Sequence, residues 1–156
     1  MYPKIHIIYG AIFSLLLLVI YPPIGLIGFS LIFLSSFLID TDHYLYYVFR
    51  KKDWNLKHAY SWFVKGDKMM KALKQNKRIN FYTGFYFFHG LETFFLLILL
   101  SVFVSKYFFL MLIGVSFHLI LDMVDEIKRK KGRIDKISII YDYFRFKKLK
   151  LIQDEK

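Results

Sequence analysis

Four long apolar runs set the terms for this chain: Ile5–Ile20, Ile24–Ile39, Phe81–Val104 and Tyr107–Val124. A helix needs about 17–25 apolar residues to cross the hydrocarbon core of a bilayer. The third and fourth runs reach that length as they stand. The first two are slightly short, and both extend, the first back to Tyr2 and the second through Tyr44, Leu45, Tyr46, Tyr47, Val48 and Phe49. Pro22-Pro23 cannot continue a helix, so runs one and two are expected to form a helical hairpin. Ser105 and Lys106 make a comparable break between runs three and four. A soluble bundle needs helices with a polar face, and the stretch from Phe94 to Val104 has none. No small-residue cleavage site follows the first run, which is therefore expected to stay as a membrane span rather than leave as a signal peptide. The fold class expected is an all-α, polytopic integral membrane protein with four transmembrane helices.

Composition narrows the class further. The chain is 56% hydrophobic, above the 45–50% or so of a soluble domain, which excludes a disordered coil. Eight Gly and three Pro exclude a collagen-like or linker protein. With no Cys there is no disulfide framework, thiolate nucleophile or Cys-ligated metal.

The net charge of +11 is unevenly placed. Of 23 Lys and Arg, ten fall between Arg50 and Arg78 and eleven from Lys128 onward; Lys4 and Lys106 complete the set. Positive loops stay on the cytoplasmic side. The loop at about 50–80, the tail and the N-terminus are therefore expected inside a plasma or inner membrane, with the two short turns outside. A three-span arrangement would put one basic segment outside. The expected organisation is a transmembrane domain over 1–127 and a basic amphipathic cytoplasmic tail over 128–156. The lysines suit anionic lipid headgroups, and the basic stretches carry no motif for reading nucleic acid. In the loop, Trp54, Leu56, Tyr60, Trp62 and Phe63 interleave with lysines. In the tail, Ile137, Ile140, Tyr141 and Phe144 recur at helical spacing. Both read as interfacial amphipathic pieces. The sequence leaves the oligomeric state open.

Ionisable residues inside spans are costly, and they mark sites by default. Here they are His6 in the first helix, Asp40, Asp42 and His43 closing the second, His89 and Glu92 in the third, and His118, Asp122 and Asp125 in the fourth. Asp40/His43 and His89/Glu92 are spaced i,i+3. His118/Asp122 are spaced i,i+4, and Asp125 lies seven residues beyond His118, so each pair shares a helix face. His–carboxylate stripes of this kind build metal sites in bundle cores. With alternating topology, all four clusters fall toward the cytoplasmic leaflet. Imidazole and carboxylate donors suit a divalent metal, zinc or manganese above others, with ferrous iron also compatible. The expected ligands are His6, Asp40, His43, His89, His118 and Asp122. Asp42, Glu92 or Asp125 would orient them or serve as general base. His58, Asp53 and Asp67 are expected to be loop residues.

These elements resemble the membrane-bound metal-dependent hydrolases, typified by an SOS-regulated bacterial inner-membrane protein. The resemblance rests on His6-Ile-Ile-Tyr-Gly10, Ile39-Asp40-Thr41-Asp42-His43, Phe88-His89-Gly90 and Ser116-Phe117-His118-Leu119-Ile120-Leu121-Asp122. Ile39 stands where the family pattern has Pro, and Glu92 where a small hydroxyl residue is usual. The resemblance implies a metal-dependent hydrolase. Together with the basic interface, the expected substrate is a phospholipid or lipid phosphate ester. Two other readings stand beside it: a metal-ion or proton transporter using the same residues, and a non-enzymatic adaptor binding anionic lipid. The outer halves, Leu15–Ile20 and Leu96–Val104, are almost purely apolar and offer a transported ion no path.

Overall fold

The computed structural model describes residues 3–130 and 138–154, and its helices follow the apolar runs with one exception. α1 spans Pro3–Ile20. A single 3₁₀ turn at Pro22–Ile24 reverses the chain into α2, Gly25–Leu38. Gly25 follows at φ 64°, a left-handed conformation that glycine adopts without a Cβ penalty. After a one-turn break at Ile39 and Asp40, α3 runs over Thr41–Lys51. α4 covers Leu56–Ala72, α5 Gln75–Arg78, α6 Leu91–Phe103, α7 Tyr107–Lys130 and α8 Ile139–Phe146. A two-residue parallel ladder joins β1, Phe81–Tyr82, to β2, Lys150–Leu151. A second 3₁₀ turn follows at Ile152–Asp154.

Three helical segments are long and apolar enough to cross a membrane: Pro3–Ile20, Pro22–Lys51 and Tyr107–Lys128. The third apolar run departs from expectation. It is helical only over the 13 residues of α6, about 20 Å at 1.5 Å per residue, against a hydrocarbon core of about 30 Å. The residues before it form β1 and an irregular segment through His89. Thr83, Gly84 and Gly90 interrupt the helix there, and Gly90, at φ −96° and ψ 160°, starts α6.

α2 and α7 form the centre of the bundle, with α1 packed on α2 and α6 packed on α7. Glycines set the spacing. A Cβ on Gly114 would lie 2.2 Å from the Ile32 carbonyl oxygen, and one on Gly10 would lie 2.0 Å from the Ser36 hydroxyl. Small residues let helix backbones approach where side chains would hold them apart. Gly10 follows His6 by one turn, and Gly114 precedes His118 by one turn. Ile39, Leu97, Leu112 and Val115 make the apolar core between α2, α6 and α7. The outside of the bundle is apolar as well: Val19, Leu26, Val102 and Phe103 are each at least 69% exposed.

The basic loop is largely helix. Asn55 caps α4, accepting from the Lys57 and His58 amides at 2.9 and 3.3 Å. Ala59, Trp62 and Phe63 pack on Tyr44, Tyr47 and Val48 of α3. At the other end of α4, Met70 packs with Phe81 and Ile152, and Arg78 donates to the Leu73 and Lys71 carbonyls. The last described residues return to this loop rather than standing apart as a tail. Asp154 pairs with Arg50 at 2.6 Å, and Gln153 donates to the Thr83 carbonyl at 3.1 Å. Ile140, Tyr141 and Phe144 of α8 are all exposed, and Ile137 lies outside the described residues.

Candidate metal centre

The break between α2 and α3 turns Asp40 and Asp42 in different directions. Asp42 is fully buried. Its carboxylate accepts from His43 Nδ1 at 2.7 Å, His89 Nδ1 at 3.0 Å and the Phe88 amide at 2.9 Å. The non-helical segment before α6 makes the last two bonds possible, because it folds back toward α3 and delivers both the Phe88 N–H and the His89 ring. Asp40 instead faces the imidazoles of α1, α7 and the segment before α6.

Four ligand-type atoms converge there. His89 Nε2 lies 3.1 Å from His118 Nε2 and 3.3 Å from Asp40 Oδ1. His118 Nε2 lies 3.6 Å from Asp40 Oδ1, and both imidazole nitrogens lie 3.7 Å from Asp122 Oδ2. Zinc with arms of 2.0–2.1 Å would set tetrahedral ligand atoms about 3.3–3.4 Å apart. Five of the six edges thus fall at 3.1–3.7 Å.

Hydrogen bonding gives this convergence its meaning. His118 Nδ1 sits 2.8 Å from the Ser36 carbonyl oxygen, which only accepts, so Nδ1 carries the proton. His89 Nδ1 donates to Asp42. In the neutral rings both Nε2 atoms therefore present lone pairs, and these face each other and two carboxylate oxygens. A proton shared between the two rings satisfies the 3.1 Å Nε2–Nε2 contact, and a metal ion in the same place would take both lone pairs. Imidazoles oriented through Nδ1 by a carboxylate and a backbone carbonyl are also the arrangement that metal-binding histidines adopt.

His6 completes the cluster from the first turns of α1. It is fully buried and stacks on His118 with ring centroids 4.0 Å apart. His6 Nε2 is 3.1 Å from Asp122 Oδ1 and 4.0 Å from Asp40 Oδ2. Its Nδ1 has no hydrogen-bond partner among the described residues, and the Asp122 carboxylate only accepts, so in the neutral ring Nε2 carries the proton, which a metal ion bound there would displace. Asp40 and Asp122 each turn one oxygen toward the His89/His118 pair and the other toward His6. Each carboxylate would thus have one oxygen for each of two neighbouring ions, were two bound.

Two groups have ligand atoms within 4.8 Å of one another and could hold a metal ion: His6, His118 and Asp122, and Asp40, His43 and His89. His43 stands at the margin. Its Nδ1 is 3.6 Å from Asp40 Oδ1 but closer to Asp42, and its ring stacks on Tyr86 at 3.9 Å.

Glu92 lies elsewhere. Because His89 precedes the helix, the two do not share a helix face. Glu92 accepts from Ser138 Oγ at 2.5 Å and from the Ile139 and Ile140 amides at 2.9 and 3.3 Å, so it holds the start of α8. Asp125 belongs to neither metal-capable group. His58 is exposed and pairs with Asp53 at 2.8 Å. Lys71 bonds Asp67 at 2.6 Å on the surface of α4.

Read from the sequence, Glu126 is an ordinary carboxylate at the membrane exit. It is buried, one turn beyond Asp122 on the face that carries His118. The spacing 118, 122, 126 was the available signal. The Ser36 carbonyl left no signal at all, since any residue supplies one. No protein-family model, curated protein or solved structure matches the chain.

Proposed function

We propose that this protein is a membrane-embedded, metal-dependent hydrolase that acts near the cytoplasmic leaflet on a phospholipid or lipid phosphate ester. The observation that carries the reading is the convergence of four ligand-type atoms, His89 Nε2, His118 Nε2, Asp40 Oδ1 and Asp122 Oδ2, with five of their six separations at 3.1–3.7 Å. His6 and the second carboxylate oxygens offer a neighbouring position. Zinc or manganese suits these donors. When bound, such an ion polarises an ester or phosphoryl oxygen.

The protein's own groups divide the remaining work. Asp42 holds the His89 and His43 rings through their Nδ1 protons. Ser36 holds His118 in the complementary orientation. His43, part-exposed beside the buried cluster, is the imidazole placed to meet substrate. The motifs shared with membrane-bound metal-dependent hydrolases support the same reaction class.

In this reading α6 is a fourth, shortened span, flanked by the irregular segment that carries His89. The basic α4 and the amphipathic α8 rest at the cytoplasmic interface, where the lysines of α4 and Lys147 and Lys148 after α8 gather anionic headgroups.

The test is metal content and turnover on the full chain in mild detergent. Asp40→Asn keeps the side-chain shape and removes anionic ligand charge. It is expected to lose bound metal together with release of headgroup or phosphate from a lipid panel. Stoichiometric metal retained in Asp40→Asn contradicts the ligand assignment. Folded wild-type protein that takes no metal under any loading condition removes the hydrolase reading and favours the adaptor.

A further inference from the structure

α8 has two different faces. Asp142 and Phe146 are buried. Ile140 and Phe144, one turn apart, are 63% and 60% exposed, and Tyr141 and Tyr143 beside them are exposed as well. Lys147 Nζ lies over the Tyr143 ring, 4.4 Å from its centroid, and Lys148 follows. An apolar centre flanked by tyrosines and a basic edge is the composition of a helix that lies in a membrane interface.

The anchor of α8 sets its depth. Glu92, in the first turn of α6, accepts from Ser138 Oγ and from the Ile139 and Ile140 amides. α8 therefore begins level with the start of α6, where Leu91 and Phe95 open the apolar exterior of that helix. The buried face of α8 is attached to the segment that carries His89. Phe146 stacks on Tyr82 with ring centroids 4.5 Å apart and meets Phe85 edge-on at 6.2 Å. Beyond α8, the Lys150 amide donates to the Asn80 carbonyl and Gln153 to the Thr83 carbonyl. Residues 83–90 have no helix or strand of their own, so they depend on such contacts and on the Phe88 and His89 bonds to Asp42.

Resting on the hydrolase reading, we propose that the outer face of α8 docks on the anionic cytoplasmic leaflet and that docking fixes the His89 segment, so that membrane composition sets how well the metal centre is formed. Depth, tyrosines and lysines together select the leaflet as the occupant of this face. With α8 pinned, Tyr82 and Phe85 are pinned through Phe146, and His89 Nε2 is kept facing His118. The coupling is reciprocal: a filled metal centre strengthens docking by the same factor.

The experiment uses the full chain in nanodiscs of phosphatidylcholine alone or of phosphatidylcholine and phosphatidylglycerol in equal parts. The chain has no Cys, so Ile140→Cys takes a single nitroxide, whose depth is read from its relaxation by oxygen and by a water-soluble nickel complex. In the mixed bilayer the nitroxide should lie in the apolar layer. Each lysine near an anionic surface favours docking about fivefold, so the double variant Lys147→Glu/Lys148→Glu should move it toward water. Hydrogen exchange of the peptide containing the Phe88 amide should be at least fivefold slower in the mixed bilayer than in phosphatidylcholine. Manganese affinity should rise by a similar factor, with equal metal content at saturation. Anionic lipid also gathers manganese at its surface, and Phe146→Ala separates the two effects. It should keep the nitroxide depth and lose the dependence of exchange and affinity on lipid. Tyr82→Leu removes the same stack and should do likewise, should Phe146→Ala not fold.

Equal exchange of that peptide in the two bilayers overturns the proposal, as does a nitroxide that stays in water in the mixed bilayer. Dipolar broadening between nitroxides, which would make the face a contact between two copies of the chain, overturns it too. Lipid-dependent exchange in a protein that never binds metal would sink the hydrolase reading alone. Full metal binding with lipid-independent exchange would sink the docking proposal alone.

Discussion

Gly114→Ala is the substitution whose consequence follows most directly from the geometry. The new Cβ would sit 2.2 Å from the Ile32 carbonyl oxygen and 2.1 Å from Ser35 Oγ. Ser35 can rotate, but the backbone carbonyl cannot. Ordinary contact begins at 3.4 Å, so α2 and α7 must separate by about 1.2 Å near this turn. His118 lies one turn further along α7, and its Nδ1 bond to the Ser36 carbonyl is 2.8 Å. Opened by that amount it reaches about 4 Å and is no longer a hydrogen bond. Overpacking costs about 1–3 kcal/mol and a buried hydrogen bond about 1 kcal/mol. A destabilisation of roughly 2–4 kcal/mol is expected.

Metal ligands tolerate only about ±0.2 Å, and loss of an orienting partner lowers metal affinity about 10–100-fold. Gly10→Ala is the comparison. Its Cβ would meet Ser36 Oγ, a side-chain atom that can swing away by giving up its 2.6 Å bond to the Phe33 carbonyl, so the effect should be smaller. The assay is metal titration alongside thermal unfolding of both variants. Gly114→Ala protein that folds and binds metal with wild-type affinity would show that the α2–α7 spacing does not position His118.

Four further outcomes are expected. Asp42→Asn replaces the acceptor shared by His43, His89 and the Phe88 amide; metal affinity should fall about 10–100-fold in titrations of folded protein. Glu92→Gln should leave metal content unchanged and loosen α8, seen as faster proteolysis near Ser138, because the carboxylate holds three donors there. Cysteines placed at Lys57 and Lys148 should label from the cytoplasmic side and those at Pro23 and Ser105 from the other; cytoplasmic labelling at Pro23 would reverse the orientation. Asp53 is held down at about 2 by the Tyr47 hydroxyl first, then by the Asn55 amide and His58. A folded-state pKa below the unfolded value of about 3.9 stabilises above that value and is lost as pH falls toward 2. Protection factors of the amides at the start of α4, taken relative to the intrinsic exchange rate at each pH, should therefore fall over that acid range, and Asp53→Asn should abolish that fall.

Much of this molecule is legible in the order of its residues. Apolar runs broken by Pro22-Pro23 and Ser105-Lys106 locate α1, α2 and α7, because no polar face interrupts them and proline ends a helix. Alternation of chain direction then brings His6, Asp40, His118 and Asp122 to one end, since each lies at the corresponding end of its helix. The third run shows the limit of that logic. Phe81, Phe85, Phe87 and Phe88 read as helix by hydrophobicity alone, yet the segment leaves the helix and carries His89 back to Asp42. Its backbone is held by a carboxylate 46 residues earlier, and local pattern carries no record of such a partner. For the same reason spacing paired Glu92 with His89, while the fold gives it to α8. The proton positions that turn two histidines into facing lone pairs depend on the Ser36 carbonyl and on Asp42. A backbone oxygen is the same atom in every residue, so only the packing of α2 against α7 could reveal which one meets the ring.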